Sequence, residues 1–392
     1  MVLERFLVRI FVLGVLAGVS ACHLLPVDQA RLQEPSSSLK PYSPSTVITG
    51  VTWKFSPAVR SRRALGSDLW PCTWAADGNE YCAWGDGGGF DGNDDNVGRV
   101  SLGFARLTGV PAADGSRGFA GKNVWGAPPY AEEAATFGGK VISLVSADGV
   151  LYAIGALWTS QTCADPVHTS GAGPVYTIAW SSDLGKTWQI APWSTPTLLG
   201  TFLNVSKDNA AAPDPFVYVY YIREGDRQHI YLKRVSKDQL LVDPSIPGTY
   251  RYLKEIDPAS HATSWSPAET DATAVFTDSN HVDLPDVIYD ARLHRYLMTV
   301  GHYRSGNYGD ASVGQFGLFD SPTPWGPWST VAYYDDWGRY GSGVAGDFLG
   351  MHMPLSWTSR NGKTRWFVYS GLHQLDSFNL IKATFHIHRG AR

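Results

Sequence analysis

Short apolar runs alternate with turns rich in Gly, Pro and Asp along most of the chain, and no stretch shows convincing helical periodicity. An aromatic residue opens such a run five times, at intervals of about seventy residues. A further strand precedes or follows each run, which excludes alternating strands and helices. Three or four strands per unit predict an all-β protein, a five-bladed β-propeller. The runs open at Tyr81, Tyr152, Tyr218, Tyr296 and Trp366.

The fifth unit lacks an outer strand, since its last apolar run ends at FHIHRG. The segment VITGVTWKF (47–55) is an unassigned strand near the start of the chain. We expect it to pair with the last unit and close the ring, because closure removes the exposed strand edges of an open array. The propeller would then occupy residues 47–392. Two separate β domains are the alternative.

The first residues resemble an export signal. Residues 1–21 combine arginines with a short apolar run and end in Val-Ser-Ala before Cys22, as in the lipobox of bacterial lipoproteins. Residues 22–46 are rich in Pro and Ser and predict a flexible tether. We therefore expect an extracytoplasmic protein that a lipid on Cys22 holds at a bacterial membrane. A plain secretory signal is the alternative.

The composition of the chain limits the classes of binding partner that we expect. The net charge of −4 gives no basic face for nucleic acid, so none is expected. The 15 Trp and 19 Tyr residues are typical of a β protein with half-exposed rings, which suits a glycan partner. We expect a monomer whose only contact with a membrane is its lipid.

Two cysteines flank a predicted turn at Asp77-Gly78. Cys72 and Cys82 would face each other across a hairpin, so a disulfide is one reading and two free thiols the other. If Cys72 and Cys82 form a disulfide, Cys163 is left as an odd thiol. No cofactor is expected. The run Asp91–Asn96 alternates oxygen ligands as a calcium loop does, but it lacks the Gly and the final Glu of an EF-hand.

The run Ser181–Trp188 (SSDLGKTW) matches the Asp-box, S-x-D-x-G-x-T-W. Its hydroxyl and carboxylate satisfy backbone donors in a tight turn, its glycine permits positive φ, and its tryptophan packs between blades. Sialidases and many other propellers have this motif as a structural element. We therefore assign Asp183 to the fold and not to catalysis.

The first hairpin contains the best candidates for chemistry. Asp68 and Asp86 lie at similar distances from the Asp77-Gly78 turn, so we expect both at one open end of adjacent strands. Glycoside hydrolysis needs two such carboxylates, one as acid and the other as base or nucleophile. Trp70 and Trp84 are predicted sugar platforms. The alternative is that the two carboxylates only cap turns.

Other polar residues at predicted strand ends are assigned to substrate binding. Asp283 and Asp286 are three residues apart and would face opposite ways on a regular strand, and Asp283 is preferred for the channel. Lys140, His302 and His352 are assigned to substrate binding as well. A structural role is the alternative for each of these three residues.

Several motifs resemble a family of secreted bacterial propellers, long of unknown function, that includes endo-D-arabinanases. The resemblance covers about residues 65–390 and implies a five-bladed propeller with Asp68 and Asp86 as catalytic residues at a carbohydrate site. The G-P-W turn also recurs in five-bladed propeller glycosidases acting on arabinans, xylans and fructans. The motifs are SDLWPCTWAADGNEYCAWGDGGGF, SLGFARLTG, the Asp-box, RVSKDQL and SPTPWGPW.

The chain departs from the arabinan and xylan enzymes in blade three, where those enzymes have a Glu as general acid. Here the run NVSKDN offers Asn204 and Asp208, which we assign to substrate binding, but no Glu. The expected function is hydrolysis of a polysaccharide, with an arabinan-type furanose polymer as the suggested class. A propeller lipoprotein that binds glycans or proteins without catalysis is the alternative. Sialidase chemistry ranks lower, because the predicted inner strands supply almost no arginines.

Overall fold

The described residues form antiparallel sheets without an α-helix, as the alternating pattern predicts. The computed structural model describes residues 40–54, 64–92, 98–112, 118–158, 176–195, 200–302, 315–334, 337, 348–371 and 376–388. Cys22, Cys163 and residues 93–96 of the calcium-like run lie outside these ranges. In the described part of the chain, no helix is long and apolar enough to cross a membrane.

The strands form four hydrogen-bonded sheets, and we divide the largest at its parallel β11–β17 pair, which gives five groups of mainly antiparallel neighbours, numbered I to V. Strand β1 (Ile48–Lys54) belongs to the last of them. Group I contains β2 (Asp68–Trp74), β3 (Glu80–Gly87), β4 (Val100–Gly109), β5 (Phe119–Gly126) and β6 (Glu133–Ala134). Group II contains β7 (Gly138–Ala147), β8 (Val150–Trp158), β9 (Tyr176–Ser181) and β10 (Gln189–Ile190).

Group III contains β11 (Thr201–Asn204), β12 (Phe216–Tyr221), β13 (His229–Ser236), β14 (Tyr250–Ile256) and β15 (Thr263–Ser266), and β16 (Ala274–Thr277) pairs with β13. Group IV contains β17 (Asp283–Asp290), β18 (Arg295–Gly301), β19 (Phe316–Ser321) and β20 (Ser329–Tyr334). Group V contains β21 (Phe348–His352), β22 (Thr364–Gly371) and β23 (Phe378–Ile387).

The first strands of the groups are neighbours in a cycle. β2 contacts β7, β7 contacts β11, β11 pairs in parallel with β17, β17 contacts β21, and β21 contacts β2. The first strands of the groups therefore lie next to one another, and the later strands of each group follow in order away from them.

Strand β1 pairs with β23 in antiparallel register from Ile48 to Lys54, so the predicted pairing of the early segment with the last unit is confirmed. Trp53 also joins groups V and IV, since its indole N–H donates to Tyr334 Oη at 2.8 Å and its ring packs on Phe316 and Phe367. Burying a side chain of this size stabilises the fold by about 1.5–3 kcal/mol.

The turn at 181–188 makes the contacts that its motif predicts. Ser181 Oγ accepts from the Gly185 N–H at 2.8 Å, and Asp183 Oδ1 accepts from the Thr187 N–H at 2.9 Å. Trp188 is buried and stacks on Phe104 of β4 with ring centroids 3.9 Å apart. The turn therefore joins group II to group I. The Asp183 carboxylate accepts hydrogen bonds within this turn, which is a structural role.

Candidate active site

The β2–β3 hairpin brings the two candidate carboxylates to the same end. Asp68 faces Gly85 in the register, and the hairpin turns at the other end, where the Gly78 N–H donates to the Ala75 carbonyl at 2.9 Å. Asp86 follows Gly85 directly. The predicted placement of Asp68 and Asp86 at one open end is therefore confirmed. We call this end of the first strands the mouth.

The disulfide between Cys72 and Cys82 is formed, and the two residues are direct partners in the hairpin with Cα atoms 4.1 Å apart. Between the disulfide and Asp68 the pairing shifts by a bulge. Leu69 and Trp70 in this bulge have φ of 72° and 66°. L-residues rarely adopt such values, and backbone outliers of this kind cluster at functional sites.

Lys140, at the start of β7, joins the two carboxylates. Its Nζ lies 2.5 Å from Asp86 Oδ2 and 3.5 Å from Asp68 Oδ1. The glycine at position 85 leaves room for this contact, because a Cβ there would clash with Asp68 Oδ1 and Lys140 Nζ. The predicted contact of Lys140 with a sugar hydroxyl stays a prediction. In this structure the ammonium contacts the two aspartates.

The group is charged and partly closed to water. The Asp68 side chain is 12% exposed and Asp86 is 28% exposed. Within the described residues, Asp68 Oδ1 and Lys140 Nζ have no aligned hydrogen-bond partner, although the ammonium is close to both carboxylates. Burial raises the pKa of Asp68, and the positive charge of Lys140 opposes this increase. Asp68 therefore holds a proton more readily than an exposed aspartate.

The sequence analysis did not single out Asp376, a third carboxyl group whose charge interacts with that of Asp68. It precedes β23, and its backbone carbonyl accepts from the Gly66 N–H at 2.6 Å. Burial raises its pKa to about 6, and the negative charge of Asp68 adds to the increase. The expected closure of the ring was a signal in the sequence, since it would make the last unit a neighbour of the first.

Trp70 and Trp84 do not serve as sugar platforms in this structure. Trp70 is 0% and Trp84 1% exposed, and their rings stack on each other with centroids 5.9 Å apart. Phe90 and Phe378 cover the other sides of Trp70. The prediction was wrong because both rings pack into one buried apolar cluster.

Asn204 and Asp208 lie at the opposite end from the mouth, which corrects their assignment to the same site. Asn204 accepts from Thr73 Oγ1 at 2.6 Å and donates to the Leu144 carbonyl at 3.0 Å. Asp208 accepts from Ser146 Oγ at 2.6 Å. Thr73 and Ser146 stand five and six residues beyond Asp68 and Lys140 on their strands. These side chains therefore join groups I, II and III far from the carboxylate pair.

The remaining candidates have different surroundings. Asp283, the first residue of β17, lies 3.6 Å from Arg227 Nη1. His302 is 1% exposed and stacks flat on Tyr333 at 4.2 Å, and His352 is 6% exposed with Nδ1 3.3 Å from Asp286 Oδ1. Both histidine rings are buried, so they do not reach a glycan at the surface of this structure. Asp283 is the one of the three that is not buried.

No known protein family and no curated protein matches the sequence, so the resemblance noted above rests on its motifs. Solved structures are similar at low identity. They include a GH43_1 enzyme from Xanthomonas citri (11% identity, 86% of this chain and 94% of that chain, TM-score 0.44). An α-L-arabinofuranosidase from Podospora anserina in complex with cellotriose matches at 10% (88% and 98%, TM-score 0.42). An endo-1,4-β-xylanase from Bacteroides thetaiotaomicron matches at 14% (85% and 94%, TM-score 0.43). Similarity of this size assigns neither an activity nor a substrate to this chain.

Proposed function

We propose that the protein is an extracytoplasmic glycoside hydrolase that cleaves a polysaccharide at the mouth, with an arabinan-type furanose polymer as its substrate class. The single observation that supports this best is the placement of two carboxylates, Asp68 and Asp86, on either side of one ammonium at the open end of a hairpin. Two carboxylates in close proximity are the minimum equipment for glycosidic cleavage.

We also infer that the five groups are the blades of one closed propeller. The cycle of contacts among β2, β7, β11, β17 and β21 supports this, as does the pairing of β1 with β23. In such a ring the mouth is the shared end of the first strands. Side chains from several blades then meet there without being close in sequence, as Asp86 and Lys140 do.

The two aspartates differ in a way that suits two roles. Asp68 is the more buried and its raised pKa favours the protonated form, so we assign it as the general acid. Asp86 is more exposed and ion-paired to Lys140, so we assign it as the nucleophile. A nucleophile must reach the anomeric carbon, and the more exposed carboxylate is the more accessible of the two.

The spacing favours retention of configuration. Asp68 Oδ1 and Asp86 Oδ2 can be at most 6.0 Å apart, the sum of their distances of 3.5 and 2.5 Å to Lys140 Nζ. Inverting enzymes separate their carboxyl groups by about 6.5–9.5 Å, and retaining enzymes by about 5–5.5 Å. Asp86 would form a bond to the anomeric carbon while Asp68 protonates the departing oxygen. Water would then attack the anomeric carbon and break its bond to Asp86, while Asp68 takes up a proton from that water.

Incubating the mature domain with a panel of neutral plant and cell-wall polysaccharides tests the proposal. We expect new reducing ends from at least one furanose polymer, and an initial product of retained anomeric configuration by proton NMR. The Asp68→Asn/Asp86→Asn double variant is the control and should release nothing. Equal release by the double variant would overturn the assignment of these residues.

Glycan binding without catalysis is the second candidate, and one observation favours it. Lys140 already neutralises a carboxylate, as in a structural ion pair. Under this hypothesis the protein binds a polysaccharide in calorimetry without forming reducing ends. The double variant would then bind as the wild type does.

The location is part of the proposal and rests on the sequence. The lipobox-like run before Cys22 supports a lipid-anchored protein. Expressing the full chain in a bacterium, with Cys22→Ala as the control, tests it. The wild type should partition into detergent with a lipid-modified N-terminus, and the variant should not.

A further inference from the structure

The loop between β12 and β13 holds an arginine, Arg227, at the start of β17. Its Nη1 lies 3.6 Å from Oδ1 of Asp283, the first residue of β17. The main chain is fixed as well, because the Arg227 carbonyl accepts from the Val282 N–H at 2.6 Å. The preceding residue, Asp226, accepts from Tyr231 Oη at 2.8 Å, which ties the loop to β13. Arg227 is therefore anchored against β17 through both its main chain and its side chain.

The strand pairing puts Asp283 at the same level as Asp68. Contacts between β2, β7 and β11 advance together along the chain, and β11 pairs in parallel with β17, so all four strands run in one direction. Thr73, five residues beyond Asp68, donates to Asn204 at 2.6 Å. Asn204 is the register partner of Ile288, five residues beyond Asp283. Each of the two intervals contains one bulge, so Asp283 starts β17 at the mouth.

The Arg227–Asp283 pair and the candidate catalytic carboxylates lie at different places around the mouth. In the cycle of contacts, β21 lies between β17 and β2 on one side, and β7 and β11 lie between them on the other. A sugar bound at Arg227 therefore belongs to another part of a polymer than the linkage on which Asp68 and Asp86 would act.

The chemistry of the pair suits a neutral sugar. The Arg227 side chain is 59% exposed and that of Asp283 is 14% exposed, so the guanidinium faces solvent beside a more sheltered carboxylate. A guanidinium offers N–H donors in a rigid plane and a carboxylate offers only acceptors, whereas each sugar hydroxyl both donates and accepts. Adjacent hydroxyls can therefore bind to the two groups together. The charges of the pair cancel, and Asp283 repels an anionic ligand, so the pair favours a neutral glycan over an acidic one.

We propose that Arg227, held in place by Asp283, is a specificity-determining residue that binds a sugar unit of the polymer away from the linkage that is cleaved. The inference rests on the proposed function for its substrate class, a neutral furanose polymer. Asp283 is one of the residues that the sequence assigns to substrate binding, and the structure adds Arg227 from a loop of another group. Because the arginine is already fixed in the free protein, binding loses little of its conformational freedom.

The first test is the kinetics of Arg227→Ala on linear arabinan. We expect KM to rise about tenfold, since hydrogen bonds to a charged group are lost, and kcat to change by less than about twofold, since the contact is far from the reacting atoms. Arg227→Lys keeps the charge without the planar fork and should give an intermediate KM. An unchanged KM in Arg227→Ala would overturn the proposal.

The matched control is Arg251→Ala, which removes the same charge from an exposed position on β14 and should keep the wild-type KM. An exposed ion pair contributes little to stability, so Arg227→Ala should remain folded, which circular dichroism verifies. An equal rise of KM in Arg251→Ala would show a general effect of charge and overturn the assignment of Arg227.

The second test separates binding from cleavage. Linear arabinan is titrated in a calorimeter into the Asp68→Asn/Asp86→Asn protein, with and without Arg227→Ala, and we expect about tenfold weaker binding without the arginine. Arabinan binding that depends on Arg227, in a protein whose wild type releases no reducing ends, would support the binding role and reject the proposed hydrolysis. Cleavage of arabinan with an affinity independent of Arg227 would support hydrolysis and overturn the binding role. Absence of arabinan binding would also overturn it.

Discussion

Lys140 Nζ lies 2.5 Å from Asp86 Oδ2, so a side chain of group II neutralises a carboxylate of group I at the mouth. The same ammonium is 3.5 Å from Asp68 Oδ1. One cation therefore acts on both candidate catalytic residues. Groups I and II of the strands cannot separate at the mouth without exposing an unbalanced charge.

Replacing Lys140 by Met should change the pH profile of kcat/KM. The positive charge of Lys140 lowers the pKa of Asp68, so its removal raises that pKa further. The basic limb of kcat/KM should therefore move up by about one pH unit. We also expect a lower kcat, because Asp86 loses the ion pair that holds its side chain in place. Lys140→Arg should retain most of the activity, and a limb that moves down in Lys140→Met would contradict the assignment.

The single variants Asp68→Asn and Asp86→Asn should separate the acid from the nucleophile. Each should lower kcat on a polysaccharide by at least about 100-fold. On an aryl glycoside with a good leaving group, Asp68→Asn should recover much of its rate, since little protonation is needed, whereas Asp86→Asn should not. Steady-state kinetics on the two substrates measures the difference. If Asp68→Asn lowers kcat equally on both substrates, the assignment of Asp68 as the general acid is wrong.

The disulfide of the first hairpin should stabilise the fold measurably. It closes a loop with a sequence separation of 10, for which the chain-entropy estimate is about 3 kcal/mol. The Cys72→Ala/Cys82→Ala variant should lose about that free energy of unfolding in a urea titration. A reductant should destabilise the wild type and leave the variant unchanged. If the reductant lowers the stability of both equally, the effect does not come from this bond.

Glu80 predicts a pH dependence of stability outside the mouth. Its side chain is 1% exposed, Oε1 accepts from the Ser356 N–H at 2.7 Å, and burial raises its pKa from 4.5 to about 7. The folded state thus holds a proton that the unfolded chain releases. The stability from neutral Glu80 is complete below pH 4.5 and is lost as the pH rises to about 7, by roughly 3 kcal/mol at most.

Glu80→Gln should remove that dependence, because the amide keeps the acceptor for Ser356 and cannot ionise. Free energies of unfolding at pH 5 and pH 8 should then differ by less in Glu80→Gln than in the wild type. Glu255→Gln, exposed on β14, is the matched control and should behave as the wild type. A variant with the wild-type difference between the two pH values would show that Glu80 is not the source.

The strand pattern could be predicted because it depends on local alternation and on turns. The five aromatic-opened strands, the hairpin with its Cys72–Cys82 pair, and the pairing of β1 with β23 all follow from apolar periodicity and unpaired edges. The common end of Asp68 and Asp86 follows in the same way, since counting from one turn fixes both positions.

What local pattern cannot decide is the direction in which a side chain points once a strand departs from regularity. Trp70, in the bulge, and Trp84, on the next strand, both lie in the core, and the direction of β7 and β11 puts Asn204 and Asp208 at the far end. Only the tertiary structure brings Lys140 to Asp68 and Asp86. The sequence by itself determined the strands and one carboxylate pair, because those depend on neighbours along the chain. The tertiary structure decided which charges surround that pair, because they come from three different groups of strands.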